Sequence, residues 1–115
     1  MKRTYLAAII LILFLPAQGY SDEPGVKGSI IHDGQDRTFI LYVPASVDQK
    51  KEVPLLIALH GGFGDGRSQI KLTRGKFNEL ADRDGFIAVY PDGIRRRWND
   101  GRKPENTIDD VGFLG

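Results

Sequence analysis

Two short apolar runs without alternation, Pro54 to Leu59 (PLLIAL) and Phe86 to Tyr90 (FIAVY), constrain the fold of this chain more than any other feature. A half-buried strand alternates apolar with polar residues, whereas a strand covered on both faces is apolar throughout. Each run therefore predicts a buried strand, with Pro54 to Leu59 at the centre of a parallel sheet. Between them, Leu72, Phe77, Leu80 and Ala81 recur near helical spacing over 69–84. Gly75 weakens the early part of that helix, and Gly85 sits where a C-terminal cap belongs. Strand, glycine-rich turn, helix and strand make a right-handed crossover unit, which sets its functional loops at the carboxyl ends of the parallel strands.

Ahead of this unit, Gly28 to His32 and Arg37 to Val43 flank Asp33-Gly34, a hairpin dipeptide, and Phe39, Leu41 and Val43 alternate with Thr38, Ile40 and Tyr42. His32, at the far end of this hairpin, reads as a surface residue. The expected class is α/β: an antiparallel hairpin followed by a β-α-β crossover. A chain of 115 residues with 41% hydrophobic content has room for one modest core. The absence of cysteine excludes a disulfide scaffold, a thiolate zinc site and a cysteine nucleophile.

The N-terminus reads as an export signal. Lys2 and Arg3 precede an unbroken apolar run, Leu6 to Leu15, and Ala17 and Gly19 give the small-x-small spacing that a signal peptidase accepts. The expected boundary is 1–19 for the signal and 20–115 for the folded part, with cleavage after Gly19 and a secreted or periplasmic product. The alternative is an uncleaved anchor, against which the run falls well short of the roughly 20 residues a bilayer span needs. Removing Lys2 and Arg3 from the 16 basic residues leaves 14 against 15 acids, so there is no electrostatic case for nucleic acid.

Two loops lie where a crossover unit places function. In the first, His60-Gly61-Gly62-Phe63 follows a buried strand, and three readings stay open. It is an oxyanion hole, in which glycine lets the backbone turn so that amide groups face a developing negative oxygen, with a positive φ expected at Gly62. Or it is a phosphate loop, since Gly61, Gly66, Arg67 and Ser68 nearly fit G-x-x-x-x-G-K-[ST] with arginine in the lysine position. Or it is a plain glycine-rich turn, with His60 a hydrogen-bonded structural residue. The second loop carries Arg95, Arg96, Arg97, Trp98 and Asn99. Its arginines suit bidentate contacts to a carboxylate-bearing substrate or form a solvated surface. Trp98 is either a platform for an aromatic or sugar ring or a core residue against the Phe86 to Tyr90 strand. Asn99-Asp100-Gly101 lacks the alternating acids of a calcium loop, so neither metal nor cofactor is expected.

Taken in order, Phe39 to Pro44 (FILYVP), Pro54 to Gly62 (PLLIALHGG), Phe77 to Asp84 (FNELADRD), Gly85 to Gly93 (GFIAVYPDG), Trp98 to Arg102 (WNDGR) and Asp109 to Leu114 (DDVGFL) cover about two thirds of the chain. This tract resembles the N-terminal part of the secreted polyhydroxybutyrate depolymerase and feruloyl esterase-type esterases, which have the α/β-hydrolase fold. The resemblance implies serine ester hydrolysis on a polyester, an aromatic-acid ester or a sugar ester. It carries the oxyanion role onto His60, Gly61, Gly62 and Phe63, with the amide of Gly62 or Phe63 as donor and His60 holding the loop rather than acting as base.

The chain departs from that family where it matters most. A nucleophile elbow needs G-x-S-x-G, and none of Ser21, Ser29, Ser46 and Ser68 has glycines on both sides at that spacing. No acid-then-histidine segment comes after them either, so no catalytic triad residue is present, and the expectation is an incomplete sheet that stops before the elbow and is inactive alone. Such a part-domain leaves an open edge and is expected to aggregate or order poorly, unless it closes as a small three-layer module. The alternative function is a non-catalytic secreted binding or structural domain that uses the Arg95 to Trp98 loop for contact.

Overall fold

The computed structural model describes residues 24–115; the expected signal segment, 1–19, lies outside the described residues. The described chain is mixed α/β, with a four-stranded mixed sheet, three α-helices and one 3-10 turn. Strands β1 (Val26–His32) and β2 (Gln35–Tyr42) pair antiparallel from Val26 opposite Leu41 to His32 opposite Gln35. Asp33 (φ 51°) and Gly34 (φ 72°) are both left-handed, the two-residue turn whose twist matches that of the strands it joins. Strand β3 (Leu55–Ile57) pairs parallel with β4 (Ile87–Pro91), and β4 pairs antiparallel with β2, in the order β1-β2-β4-β3.

The central strand is therefore β4, and the expectation that Pro54 to Leu59 forms the centre of a parallel sheet is corrected. β3 is an edge strand in a mixed sheet, with Leu55 57% exposed and Leu59 43% exposed. Its apolar run matches a strand covered on both sides, but among the described residues only β4 pairs with it.

The single helix expected over 69–84 is two: α1 (Gly66–Leu72) and α2 (Lys76–Asp84). The break is a Schellman motif. Arg74 (φ 53°) turns left-handed after the Thr73 cap, its amide donates to the Lys71 carbonyl, and the Gly75 amide reaches back to Ile70 at 3.0 Å. Thr73 adds hydroxyl bonds to the carbonyls of Gln69 and Ile70. Gly75 is thus part of a helix stop and of the next helix start, rather than a weak interior residue. Gly85 (φ 75°) caps α2 as expected, its amide bonded to the Ala81 carbonyl at 2.9 Å.

The core joins Ile40, Ala58, Ile70, Ala88 and Tyr90, with Tyr42, Phe77 and Phe86 packed at its margin. Fully burying a side chain of this size contributes about 1.5–3 kcal/mol, provided its polar tip finds a partner. Tyr90 meets that condition: its hydroxyl donates to Asn78 Oδ1 at 2.7 Å, and Asn78 Nδ2 donates to the Pro24 carbonyl. Burial pushes the Tyr90 phenol up to about 12. Gly66, at the start of α1, has no side chain because a Cβ there would run into the Tyr90 carbonyl. That close approach seats α1 against β4 and brings the loop between β3 and α1 beside the loop after β4.

Candidate functional site

His60 leaves β3 and is 3% exposed. Its Nε2 accepts from the Gly93 amide at 2.9 Å, so the proton sits on Nδ1, which donates to the Gly61 carbonyl at 2.6 Å. Both ring nitrogens are thus held by backbone groups, which leaves none for proton transfer to a substrate. Trp98 completes the arrangement: its indole N–H donates to the His60 carbonyl at 2.8 Å, and its ring lies 4.8 Å from the imidazole, tilted by 32°. His60 is therefore a direct partner of Trp98. Through these contacts one histidine ties the first loop to the second.

Within the first loop the amides are used unequally. Phe63 donates to the Arg96 carbonyl at 2.9 Å and Gly64 to the Gly61 carbonyl at 3.1 Å, while the Gly62 amide donates to nothing among the described residues. The left-handed residue is Phe63 (φ 64°), not Gly62, which corrects the expected positive φ. Cβ atoms at Gly61 and Gly62 would meet nothing within 4 Å, so these glycines leave an open surface rather than relieve a turn.

The start of α1 bears on the phosphate-loop reading. Asp65 caps the helix through Ser68, whose amide donates to Asp65 Oδ1 at 2.7 Å and whose hydroxyl accepts from the Asp65 amide. The Ser68 amide holds the Asp65 carboxyl below the usual carboxylate range. Asp92 takes the next amide, accepting from Gly66 at 2.7 Å on one oxygen and from the Thr38 hydroxyl on the other. Two carboxylates stand where a phosphate would need donors, and their charge opposes an anion there. The Ser68 hydroxyl also donates to the Asp65 carbonyl, so it is a capping group.

The second loop begins with the 3-10 turn Ile94–Arg96, in which Arg95 (φ 52°) and Arg96 (φ 62°) are consecutive left-handed residues. The three arginines part company here. Arg96 turns back, with Nε donating to the Gly64 carbonyl at 3.2 Å and its guanidinium 3.8 Å from Asp65. Arg97 lies over the Phe63 ring, 4.7 Å from its centroid. Arg95 has no hydrogen-bonding or ionic partner among the described residues. Asn99 organises the remainder of the loop: its Nδ2 donates to the carbonyls of Asn106 and Ile108, and its amide donates to Asp110 Oδ2 at 2.5 Å.

Between the loops lies an open groove of about 930 Å³. Its wall includes Gly62, Phe63, Arg95, Arg97, Trp98 and Asn99, so residues of both loops share one cavity. His60, Gly61 and Arg96 stand behind that wall as supports. The opposite wall, from Asp100 to Ile108, carries no sequence motif for a site.

Sequence reasoning missed the residues that hold that opposite wall. Arg37, 1% exposed, pairs with buried Asp110 at 2.5 Å and lies 4.0 Å over the Phe113 ring. His32, read as a surface residue, bonds Asp109 Oδ2 at 2.9 Å. Together they dock α3 (Asp110–Leu114) on the hairpin. The available signal was Arg37 itself, a charge in phase with Phe39 and Leu41, together with the acid pair Asp109-Asp110. No protein-family model and no curated protein matches this chain.

Proposed function

We propose that this chain carries the oxyanion loop of a secreted, serine-type carboxylic-ester hydrolase of the α/β-hydrolase kind. The Gly62 amide supports this most directly: it stands unpaired on the groove wall while its neighbours Phe63 and Gly64 spend theirs on the protein. An oxyanion hole is a donor held in place before the charge appears, and the fixed His60 ring with its two backbone bonds supplies that rigidity. None of the chain's serines sits in an elbow motif, so acyl transfer requires a nucleophile, base and orienting acid from outside these 115 residues. Gly62 and Arg97 lie on the same groove, which supports a reading in which the substrate lies between the donor and the second loop. Export through the Lys2 to Gly19 segment belongs to the same reading and suits a hydrolase acting on extracellular esters.

The test is made in a version completed with an elbow serine and triad partners from a related esterase. Gly62→Pro deletes the donor and is expected to lower turnover by about 10²–10³ per active site, counted with a serine-directed phosphonate. Gly62→Ala keeps the N–H, and its methyl meets no protein atom, so it controls for loop damage. Equal turnover in the proline variant and its parent removes the oxyanion role.

A further inference from the structure

The groove is cationic in a way that the ester reading alone does not require. Arg95, Arg97, Arg102 and Lys103 line it against two acids, Asp100 and Glu105. Asp100 is already consumed by Arg102, whose Nε bonds it at 2.6 Å. Arg95 and Arg97 have no carboxylate partner among the described residues.

Their placement is imposed by the backbone. Two consecutive left-handed residues that are not glycine persist only where the surroundings over-determine them. Here the Arg96 carbonyl is held by Phe63 and the Arg96 side chain by Gly64, which sends the middle arginine to the support side and leaves Arg95 and Arg97 on the groove. Arg97 sits over the ring of Phe63, the residue next to Gly62, with its guanidinium carbon 4.7 Å from the ring centroid, so its fork of donors is held beside the unpaired amide. A guanidinium held over a ring face makes no hydrogen bond to it and so keeps its N–H groups for a bidentate acceptor, and carboxylate has that geometry.

Resting on the ester-hydrolase reading above, we propose that the substrate is an ester that also bears a free carboxylate, with the ester carbonyl at Gly62 and the carboxylate on Arg97 and Arg95. A neutral ester leaves both guanidinium groups unmatched, and a plain carboxylate leaves the Gly62 amide unmatched.

The experiment titrates the 115-residue chain with three small probes: monomethyl glutarate, dimethyl glutarate and glutarate. Binding is followed through the emission of Trp98, the sole tryptophan, and through the Gly62 amide resonance. Monomethyl glutarate is expected to bind about tenfold tighter than the dimethyl ester and to move the Gly62 resonance. Arg97→Gln and Arg95→Gln, both exposed and outside the core, are each expected to weaken the half-ester about three- to tenfold and leave the diester unchanged. Equal affinity for half-ester and diester, or an unchanged half-ester affinity in both Arg97→Gln and Arg95→Gln, overturns the carboxylate assignment and leaves the ester reading standing if the diester still moves Gly62. Glutarate binding as tightly as the half-ester, with the Gly62 resonance still for both, overturns both. No binding of any probe overturns the substrate inference.

Discussion

The two sides of the sheet are held by opposite kinds of force. On the hairpin side, α3 is fastened by charge: Arg37 with Asp110 in the interior, and His32 with Asp109 at the margin. On the β3 side, the loop from His60 to Phe63 is fastened to the second loop by neutral hydrogen bonds of His60 and Trp98 to backbone, and the strand edge stays bare with Leu55 and Ile57 exposed. The difference teaches where this small fold is brittle. A buried ion pair is unforgiving when one partner is lost, whereas an exposed edge strand is indifferent to what its side chains are.

The largest test of that contrast removes one charge. Asp110→Ala strands the Arg37 guanidinium in the interior, where its Nε already has no partner, and is expected to cost about 3–5 kcal/mol in urea unfolding. Leu55→Thr on the bare edge is expected to stay within about 0.5 kcal/mol. The double replacement Arg37→Met with Asp110→Leu is expected to recover part of the loss, since an apolar pair removes the stranded charge but leaves the Asn99 amide without its Asp110 acceptor. A mild Asp110→Ala beside a severe Leu55→Thr would invert the comparison.

What could be read from sequence divides along the same line. The hairpin, the Gly85 cap and the buried β4 strand are local, because a dipeptide turn, a left-handed glycine and an apolar run each act within a few residues. The place of β3 is not legible in the same way, because an apolar run reports how much cover a strand is suited to and says nothing of which strands lie beside it. The helix break shows in the sequence only as Gly75; that the preceding residue, Arg74, takes the left-handed position belongs to the whole Schellman motif. For the site, the two loops are legible and their meeting is not. Arg95, Arg96 and Arg97 are identical in type, and what separates them is the turn of the backbone at Arg95 and Arg96. Arg37 and Asp110 are 73 residues apart, so the pair exists only once the chain has folded.

A second, smaller test loosens the neutral side. His60→Ala leaves the Gly93 amide and the Gly61 carbonyl without their partners and removes the ring under Trp98. At about 1 kcal/mol for each hydrogen bond, the expected cost is about 2 kcal/mol, with a red shift of Trp98 emission as the indole gains water. His60→Phe keeps a ring in place and is expected to hold the emission while losing a similar stability. If both variants leave stability and emission unchanged, the two loops are joined by something other than this histidine.

The smallest expected effect separates the two sides by pH. Asp109 is held below the usual carboxylate range by its bond from His32 and then by the Gly112 amide, and Asp65 chiefly by the Ser68 amide. A carboxyl lowered in the folded state contributes stability that is complete above its unfolded value, about 3.9, and is lost as pH falls through the lower folded value. Both groups therefore steepen the loss of stability below about pH 4. They differ in what an amide replacement leaves behind. Asparagine caps a helix about as well as aspartate, so Asp65→Asn is expected to change stability at pH 7 by only a few tenths of a kcal/mol and to flatten the acid limb. Asp109→Asn also keeps its cap to Gly112, but it removes a charged acceptor from His32, so it is expected to flatten the acid limb and to make the remaining stability less sensitive to salt. Urea midpoints from pH 2.5 to 7 at low and high salt read both slopes. An acid limb unchanged in Asp109→Asn, with salt sensitivity intact, would mean that the margin of the hairpin side is held by Arg37 and Asp110 alone.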